Sequence, residues 1–213
     1  MASKKTVSND KIIQWFMQDT LDDKSSLSSV YAFAKKHDIK ESDFYDFYNG
    51  FDHLEEEVFA FFGKNTIALL EKSDEYAAYG AQQKLLGFYF TFFEILTANR
   101  SYVMVKIGHN KDKLAALKSL KGLRRVFIKF TSELDIAEMD FNNEQINRLR
   151  DMGVSESLWI QLLVTMKFWI GDRSKGFEKT DVFIEKSMRA QFDLLATIPV
   201  KSVLDLAKFL WKE

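Results

Sequence analysis

Apolar residues recur every three or four positions along most of this chain, which is the spacing of one face of an α-helix. The first apolar stripe consists of Ile12, Ile13, Phe16 and Met17. Asp10 precedes this stripe and is a favourable N-cap residue, and a polar run over residues 22–26 follows it. The pattern therefore predicts a first helix that begins at Asp10 and ends near residue 22.

Three further segments with helical spacing follow before residue 73. Ser28 or Ser29 can cap a short second helix, a third is predicted over residues 40–48, and Asp52 caps a fourth, longer helix. Short polar or glycine-containing pairs separate these helices. The predicted breaks are His37–Asp38 and Asn49–Gly50. The chain thus begins with three short helices.

The predicted helices lengthen beyond residue 73. They run over residues 76–97, 100–108, 111–133, 143–152, 155–170, 178–196 and 199–211. Gly153 separates the fourth of them from the fifth, and Pro199 opens the last, where a first helical residue tolerates proline. The stretch 87–93 is apolar on nearly every side, so its helix should be buried in a bundle. No segment favours a strand, and the predicted fold is all-α: a three-helix unit followed by a larger C-terminal helical bundle.

Composition narrows the class of protein. The 213 residues have room for one or two domains, and 46% of them are hydrophobic, which excludes a disordered chain. Cysteine is absent, which excludes a disulfide framework, cysteine-ligated zinc and a thiol nucleophile. One proline and nine glycines are few for this length, and so favour long helices.

No targeting signal or membrane span is expected. The first ten residues lack the apolar core of a secretory signal. The most apolar stretch, 85–96, contains Glu94 and is followed by Arg100 and Lys106, so it falls short of the roughly 20 uncharged residues of a membrane helix. A cytoplasmic location is the simplest expectation, and the absence of cysteine is compatible with it.

Catalytic chemistry finds little support in the sequence. His53 and Glu57 lie one helical turn apart and could form one edge of a metal site, but no further ligands follow at a recognisable spacing. Glycine-rich phosphate loops and nucleophile elbows are absent from the sequence. The run Glu55–Glu57 is interpreted as a charged helix face. We therefore expect no enzyme activity, no metal and no cofactor.

The segment over residues 29–54, SVYAFAKKHDIKESDFYDFYNGFDHL, resembles the helix-turn-helix of the TetR family of bacterial transcriptional regulators. That family follows the approximate pattern T-V-x-x-I-A-x-x-A-G-V-S-x-x-T-F-Y-x-H-F-x-S-K-E-x-L. The matches, which run in order without a gap, are Val30, Ala34, Ile39, Phe44, Tyr45 and Leu54, with softer ones at Ser29, Phe33, Tyr48 and Asp52. A helix-turn-helix also needs a few apolar contacts between its two short helices, for which Val30, Phe33, Ile39 and Phe44 are the candidates.

The resemblance implies two functional domains along the chain. Residues 1–53 would form the DNA-binding domain, and residues 54–213 a helical domain for ligand binding and dimerisation. The hydroxyls of Tyr45 and Ser29 would bind phosphates, while the third helix enters the major groove. The DNA-binding residues implied in this way are Ser29, Tyr31, Lys40, Ser42, Tyr45 and Asn49.

The segment departs from the family pattern in three respects. His37–Asp38 replaces the small residue and glycine of the turn, and Phe51 replaces the lysine before the fourth helix. Residues 28–54 contain three lysines and five acidic residues, a formal charge of −2. Because phosphate neutralisation supplies most non-specific affinity, weak DNA binding is expected unless Lys4, Lys5 and Lys11 contribute. Two functions stay open: an operator-binding regulator, and a TetR-like dimer that binds an apolar ligand or lipid without binding DNA.

The resemblance also implies a ligand pocket and a dimer interface in the C-terminal helices. The homodimer would form through the helices near 155–170 and 178–196, and the partners would be double-stranded operator DNA and a small apolar ligand. The candidate ligand-binding residues are Phe88, Phe92, Met104, Trp159 and Met166, for which ordinary core packing is the alternative.

Two further polar groups allow a structural and a functional interpretation. Asp172 and Ser174 lie at the predicted bend between the last two long helices, where capping of those helices is the favoured interpretation. One face of the predicted helix over 111–133 is basic, which favours a solvated face, with an anion or membrane contact as the alternative. Its cations are Lys118, Lys121, Arg125 and Lys129.

Overall fold

The computed structural model describes residues 7–22, 24–134, 136 and 144–197. These residues form α-helices joined by short turns and contain no strand, which confirms the predicted all-α class. The helices are α1 Asn9–Leu21, α2 Val30–Lys36, α3 Glu41–Tyr45, α4 Phe51–Leu70, α5 Ala81–Ala98, α6 Arg100–Val103, α7 Lys113–Ser119, α8 Lys121–Ser132, α9 Glu144–Gly171 and α10 Glu178–Thr197. The helix predicted over 199–211 lies outside the described residues.

The chain divides into two compact units. One unit contains Met1–Ala78 and Gly87–Glu133, and the other contains Tyr79–Leu86 and Leu134–Glu213. Both units are helical in their described parts. The division at residue 53 between DNA-binding and ligand-binding domains is a functional one, and it stays a prediction.

Two predicted N-caps are wrong by a few residues. Ser8 caps α1, because its hydroxyl accepts a hydrogen bond from the backbone N–H of Lys11, and Asp10 lies within the first turn. Gly50 is the N-cap of α4, and Asp52 lies in the first turn of that helix. A carboxylate in the first turn is favoured by the helix dipole much as one at the cap is, so the sequence signal is the same for both positions.

Several predicted helix boundaries also differ from the structure. The third helix is only Glu41–Tyr45. The helix predicted over 76–97 begins at Ala81, after a separate 3₁₀ turn at Tyr76–Ala78. The segment 111–133 forms two helices, α7 and α8, divided at Leu120, whose φ of −88° and ψ of −1° end α7.

Gly153, predicted to end a helix, lies inside α9, which is continuous from Glu144 to Gly171. A Cβ built at Gly153 would contact nothing within 4 Å, so the position is open. An isolated glycine in a helix costs only about 1 kcal/mol relative to alanine, which a long helix with a buried face tolerates. The apolar stripe of residues 158–169 therefore extends one helix rather than starting another.

The core of the first unit is built where α8 packs against α4. Gly122 permits this packing, because a Cβ at that position would lie 2.3 Å from the backbone oxygen of Glu56. Beside this contact the ring of Phe88 lies between neighbouring aromatic rings, with centroids 5.0 to 5.5 Å away. These neighbours are Phe92, Phe127 and Phe130.

The second unit depends on the packing of α9 against α10. The helices share buried apolar residues and are also joined by two side-chain hydrogen bonds. Gln161 Nε2 donates to Ser187 Oγ at 2.9 Å, and Gln191 Nε2 donates to Ser157 Oγ at 3.0 Å. The buried apolar residues are Leu158, Leu162, Met166, Trp169, Ile184 and Met188.

Asp172 organises the bend between α9 and α10, which confirms its interpretation as a capping residue. One carboxylate oxygen accepts from the N–H and hydroxyl of Ser174 at 2.8 and 2.7 Å, and the other accepts from the N–H and hydroxyl of Thr180 at 3.0 and 2.7 Å. Burial by itself raises the pKa of Asp172, but the four hydrogen bonds outweigh it and lower the pKa to about 2.

Gly122 and Gly153 provide a matched pair of substitutions in helices. We expect Gly122→Ala to lower the free energy of unfolding by at least about 2 kcal/mol, because the added methyl group collides with the α4 backbone. We expect Gly153→Ala to raise it by about 0.5–1 kcal/mol, because the site is open and alanine is the better helix former. Urea denaturation followed by circular dichroism measures both, and equal effects would contradict the close approach of α8 to α4.

The lowered pKa of Asp172 predicts a pH-dependent contribution to stability. The charged carboxylate stabilises the fold fully above the ordinary aspartate pKa of 3.8, and this contribution is lost as the pH falls towards about 2. Asp172→Asn should therefore lower the free energy of unfolding at pH 7 by about 1–3 kcal/mol, and the difference from wild type should shrink at pH 3. Asp74→Asn, at an exposed position, is the control and should change neither value. A deficit in Asp172→Asn that is the same at both pH values would contradict the role of the charge.

Candidate nucleic-acid interface

The α2–α3 segment forms two short helices joined by a tight turn. Ser29 caps α2, with its hydroxyl accepting from the N–H of Ala32 at 3.1 Å. Asp38 has a φ of 54°, the left-handed conformation that glycine adopts most easily. The next N–H, of Ile39, donates to the carbonyl of Ala34 at 3.0 Å and closes the turn. Asp38 thus takes the conformation expected at the glycine position of the resemblance.

An aromatic cluster fixes α2 against α3. The rings of Phe33, Phe44 and Phe51 meet nearly edge to face, with centroids 5.6 to 5.8 Å apart. Such contacts add about 0.5–1.5 kcal/mol per pair beyond the burial of their area. Val30 and Ile39, predicted to share this contact, are only half-buried. The contact between the helices is therefore aromatic rather than aliphatic.

Phe51 explains one departure from the family pattern. At the position where the family places a lysine, its ring contacts Phe33 and Phe44 and also stacks on Phe16 of α1 at 5.8 Å. At this position the chain has a half-buried aromatic ring that joins α1, α2, α3 and α4. The sequence shows only the missing lysine, because the partners of Phe51 lie up to 35 residues away along the chain.

A buried carboxylate joins α1 to the end of α2. Asp19 accepts from Lys36 Nζ at 2.7 Å and lies 2.9 Å from His37 Nε2. The ring of His37 stacks on Trp15 with a centroid distance of 4.6 Å. One of the three lysines in residues 28–54 is therefore paired with a carboxylate of its own chain. The sequence carries no local signal for this cluster, because Lys36 and His37 lie 17 and 18 positions after Asp19 along the chain.

Tyr48 makes a second connection to α1. It is buried after α3, and its hydroxyl donates a hydrogen bond to the side-chain oxygen of Asn9. Burial, together with the negative charge of Glu57, raises the pKa of Tyr48 well above its ordinary value. Tyr48 therefore stays neutral and holds the loop that precedes α4.

All six predicted DNA-binding side chains are exposed. Tyr31 and Tyr45 are 61% and 53% exposed, although Phe44 beside Tyr45 is completely buried. The other four are Ser29, Lys40, Ser42 and Asn49. Their contact with DNA stays a prediction.

Acidic side chains share the surface of α3. The carboxylate of Asp43 accepts from the backbone N–H of Lys40 at 3.0 Å and so caps the helix. Glu41 and Asp46 are exposed on the same short helix. The local negative charge is therefore unfavourable for binding a phosphate backbone, as the formal charge of residues 28–54 predicts.

The acidic run on α4 is paired with cations from the helices that follow. Glu55 binds Lys106 and accepts from the hydroxyl of Ser119, and Arg125 Nη2 lies 2.7 Å from Glu57. Two cations of the predicted basic face thus contact α4, since Lys121 also lies 3.7 Å from Glu56. Both side chains are nevertheless more than half exposed, so this part of the face is solvated and also forms ion pairs between helices.

The candidate ligand-binding residues lie in both units. Phe88 and Phe92 are buried and stack on each other at 5.5 Å within the aromatic core of the first unit, and Met104 is half-buried in a π-helical turn. Trp159 and Met166 are buried on α9 in the second unit. Their role in binding a ligand stays a prediction.

The described part of the chain contains neither a candidate metal cluster nor a membrane-spanning helix. There, no group of three or more histidine, aspartate or glutamate side chains could hold a metal ion. Nor does any helix within the described ranges have the length and apolar character needed to cross a bilayer.

A known protein family matches the larger part of the sequence. The family model for the tetracycline repressor-like C-terminal domain matches residues 84–210. The chain belongs to the TetR family. No curated protein matches it. The family match lies C-terminal to α1–α4. For this TetR-family protein, the assignment of the helix-turn-helix therefore depends on the ordered motif and on the geometry of α2, Asp38 and α3. TetR-family regulators are in general not enzymes.

Proposed function

We propose that this TetR-family protein is a homodimeric transcriptional regulator that binds operator DNA through α2 and α3 and responds to a small ligand. The observation that carries the proposal is the arrangement around Phe44. This side chain is fully buried in the aromatic cluster, and the neighbouring Tyr45 points its ring towards solvent, on the face that a major groove would meet.

The exposed groups suit a docking mode led by phosphate contacts. Ser29 lies at the N-terminus of α2, where unpaired backbone N–H groups and the helix dipole favour an anion. Tyr45 adds a hydroxyl donor, and Lys40 adds a charge at the start of α3. Binding through so few cations should be weak and strongly dependent on salt.

An apolar stripe on α9 supports dimerisation. Ile160, Val164 and Phe168 lie one helical turn apart and are all exposed, Ile160 by 59%. On α10, Val182 and Leu194 are exposed as well. Apolar side chains exposed in register on helices mark an interaction surface. They fall within the two segments, 155–170 and 178–196, through which we expect the homodimer to form.

α4 provides a physical route for a ligand response. The helix begins in the aromatic cluster at Phe51 and continues along α8 to Leu70. Its carboxylates are paired with Lys106 and Arg125, which lie beyond α5. A ligand that moves these later helices would therefore shift α4 and the orientation of α2 and α3, which is a coupling between two sites.

A second function is favoured by the charge of the interface. Lys36 is paired with Asp19, Phe51 is part of the aromatic cluster, and Glu41 and Asp46 are exposed. A TetR-like dimer with these features could bind an apolar ligand or lipid and have no affinity for DNA. Measurement of DNA binding separates the two functions.

Fluorescence anisotropy with a labelled duplex from the gene's own upstream region, at low salt, tests the regulator. We expect Tyr45→Phe to weaken binding about three- to tenfold through loss of one hydrogen bond. Lys40→Gln should reduce the slope of log affinity against log salt by about 0.9, the value for one phosphate contact. Lys118→Gln, at an exposed position on α7, is the matched control and should bind like wild type. No salt-dependent binding at micromolar protein would leave the second function as the correct one.

Size-exclusion chromatography with light scattering tests the dimer. We expect Val164→Glu to convert the dimer to a monomer, because it places a charge in the middle of the apolar stripe. The control is Leu114→Glu, a substitution of an exposed leucine on α7 outside that stripe, and it should leave the dimer intact. A monomeric wild-type protein, or a dimeric Val164→Glu variant, would contradict the interface.

A further inference from the structure

A groove of about 580 Å³ opens on the first unit between α1, α4 and the end of α5. This volume lies within the roughly 300–1,000 Å³ of small-molecule sites. Apolar side chains from all three helices form its walls, including Met17 of α1, Phe61 and Leu69 of α4 and Ile95 of α5. Leu69 is half-exposed there, although burial of such an apolar side chain is favourable. The groove thus offers apolar surface to a molecule that can cover it.

The groove carries a positive charge and neutral amide groups, and no negative charge among its described lining residues. Lys72, just after α4, is the charged residue among the described side chains that line it, and none of those is acidic. Gln14, Asn65 and Asn99 supply amide groups from three helical segments. Asn99 already donates to the carbonyl of Ile95 at 2.8 Å, so its position is fixed. An ammonium group with neighbouring amides suits an anionic head group.

The groove also lies against the helix that holds the helix-turn-helix. Ile13, Gln14 and Met17 line it from α1. From the same helix, Asp19 binds Lys36 and His37 at the end of α2, and Phe16 stacks on Phe51. A molecule in the groove would therefore contact α1 on one side and α4 on the other, and would favour one arrangement of the two.

We propose that this groove binds a small amphipathic anion, with the anionic head at Lys72 and the apolar tail between α1, α4 and α5. None of the ligand-binding residues inferred from the sequence lines it. The effect of this anion on DNA rests on the proposed function, whereas the binding itself does not.

Isothermal titration calorimetry with sodium decanoate below its micellar concentration tests the site. Decyltrimethylammonium has a tail of the same length and the opposite charge, and we expect it to bind at least about tenfold more weakly than decanoate. Lys72→Gln should weaken decanoate about three- to tenfold, as loss of a partly exposed charge-assisted hydrogen bond does. Lys118→Gln, outside the groove, should bind decanoate like wild type.

A second variant tests the walls of the groove. Ala68 is exposed on α4 and lines the groove, so Ala68→Trp should fill it and abolish decanoate binding. Ala77→Trp, at an exposed position outside it, is the control and should bind normally, with far-UV circular dichroism checking that each variant is folded. Absence of decanoate binding, equal affinity for the cationic detergent, or unchanged affinity in both Lys72→Gln and Ala68→Trp would overturn the site.

The anisotropy experiment repeated with decanoate separates this inference from the proposed function. If the protein binds decanoate at Lys72 but does not bind DNA, the proposed regulator function is refuted and the groove assignment stands. DNA binding that decanoate changes in wild type, and leaves unchanged in Lys72→Gln, would support both.

Discussion

Four aromatic rings at the start of the chain fix the geometry on which the candidate interface depends. Phe51, at the start of α4, contacts one ring from each of the three preceding helices. These rings are Phe16 of α1, Phe33 of α2 and Phe44 of α3. α2 and α3 are too short to be stable alone, since isolated helices below about 12–15 residues are marginal in water. Their orientation therefore comes from this shared contact, which also decides that Tyr45 faces outward.

The same cluster connects the interface to the rest of the first unit. Phe51 begins α4, and within two turns that helix carries the carboxylates that pair with Lys106 and Arg125. Gly122 then lets α8 approach the α4 backbone closely. Because close-packed interiors have low compressibility and transmit strain, a displacement at one end of α4 would reach the other. The groove beside α1 lies against this same helix.

The charge of the candidate interface is affected by two side chains that serve packing or internal pairing. Phe51 packs in the aromatic cluster at a position where the family pattern has a lysine, and Lys36 pairs with the buried Asp19. A buried carboxylate without partners would be strongly destabilising, so that lysine has a structural role. Lys36 is thus paired with a carboxylate of its own chain, which lowers the positive charge that this segment presents to an anion.

Local patterns in the sequence could predict the elements but not all of their ends. The apolar stripe at Ile12–Met17 predicts α1, and the pair His37–Asp38 predicts the turn after α2; the structure contains both. Both signals are local, because helical periodicity and left-handed turn residues act over a few positions. The division of α7 from α8 at Leu120 and the continuity of α9 through Gly153 were not predictable in this way. Both depend on what packs against the helix, and tertiary contacts override weak local preferences.

The sequence by itself determined the all-α class and the ordered motif over residues 29–54, and it predicted which side chains would contact a duplex. Only the tertiary structure decided that Phe51 joins the aromatic cluster, that Asp19 holds Lys36 and His37, and that α1, α4 and α5 enclose a groove beside Lys72. The physical reason is the range of the interactions. Capping and periodicity act within one or two helical turns, whereas ring contacts, buried ion pairs and grooves join residues whose separation along the chain leaves no pattern to read.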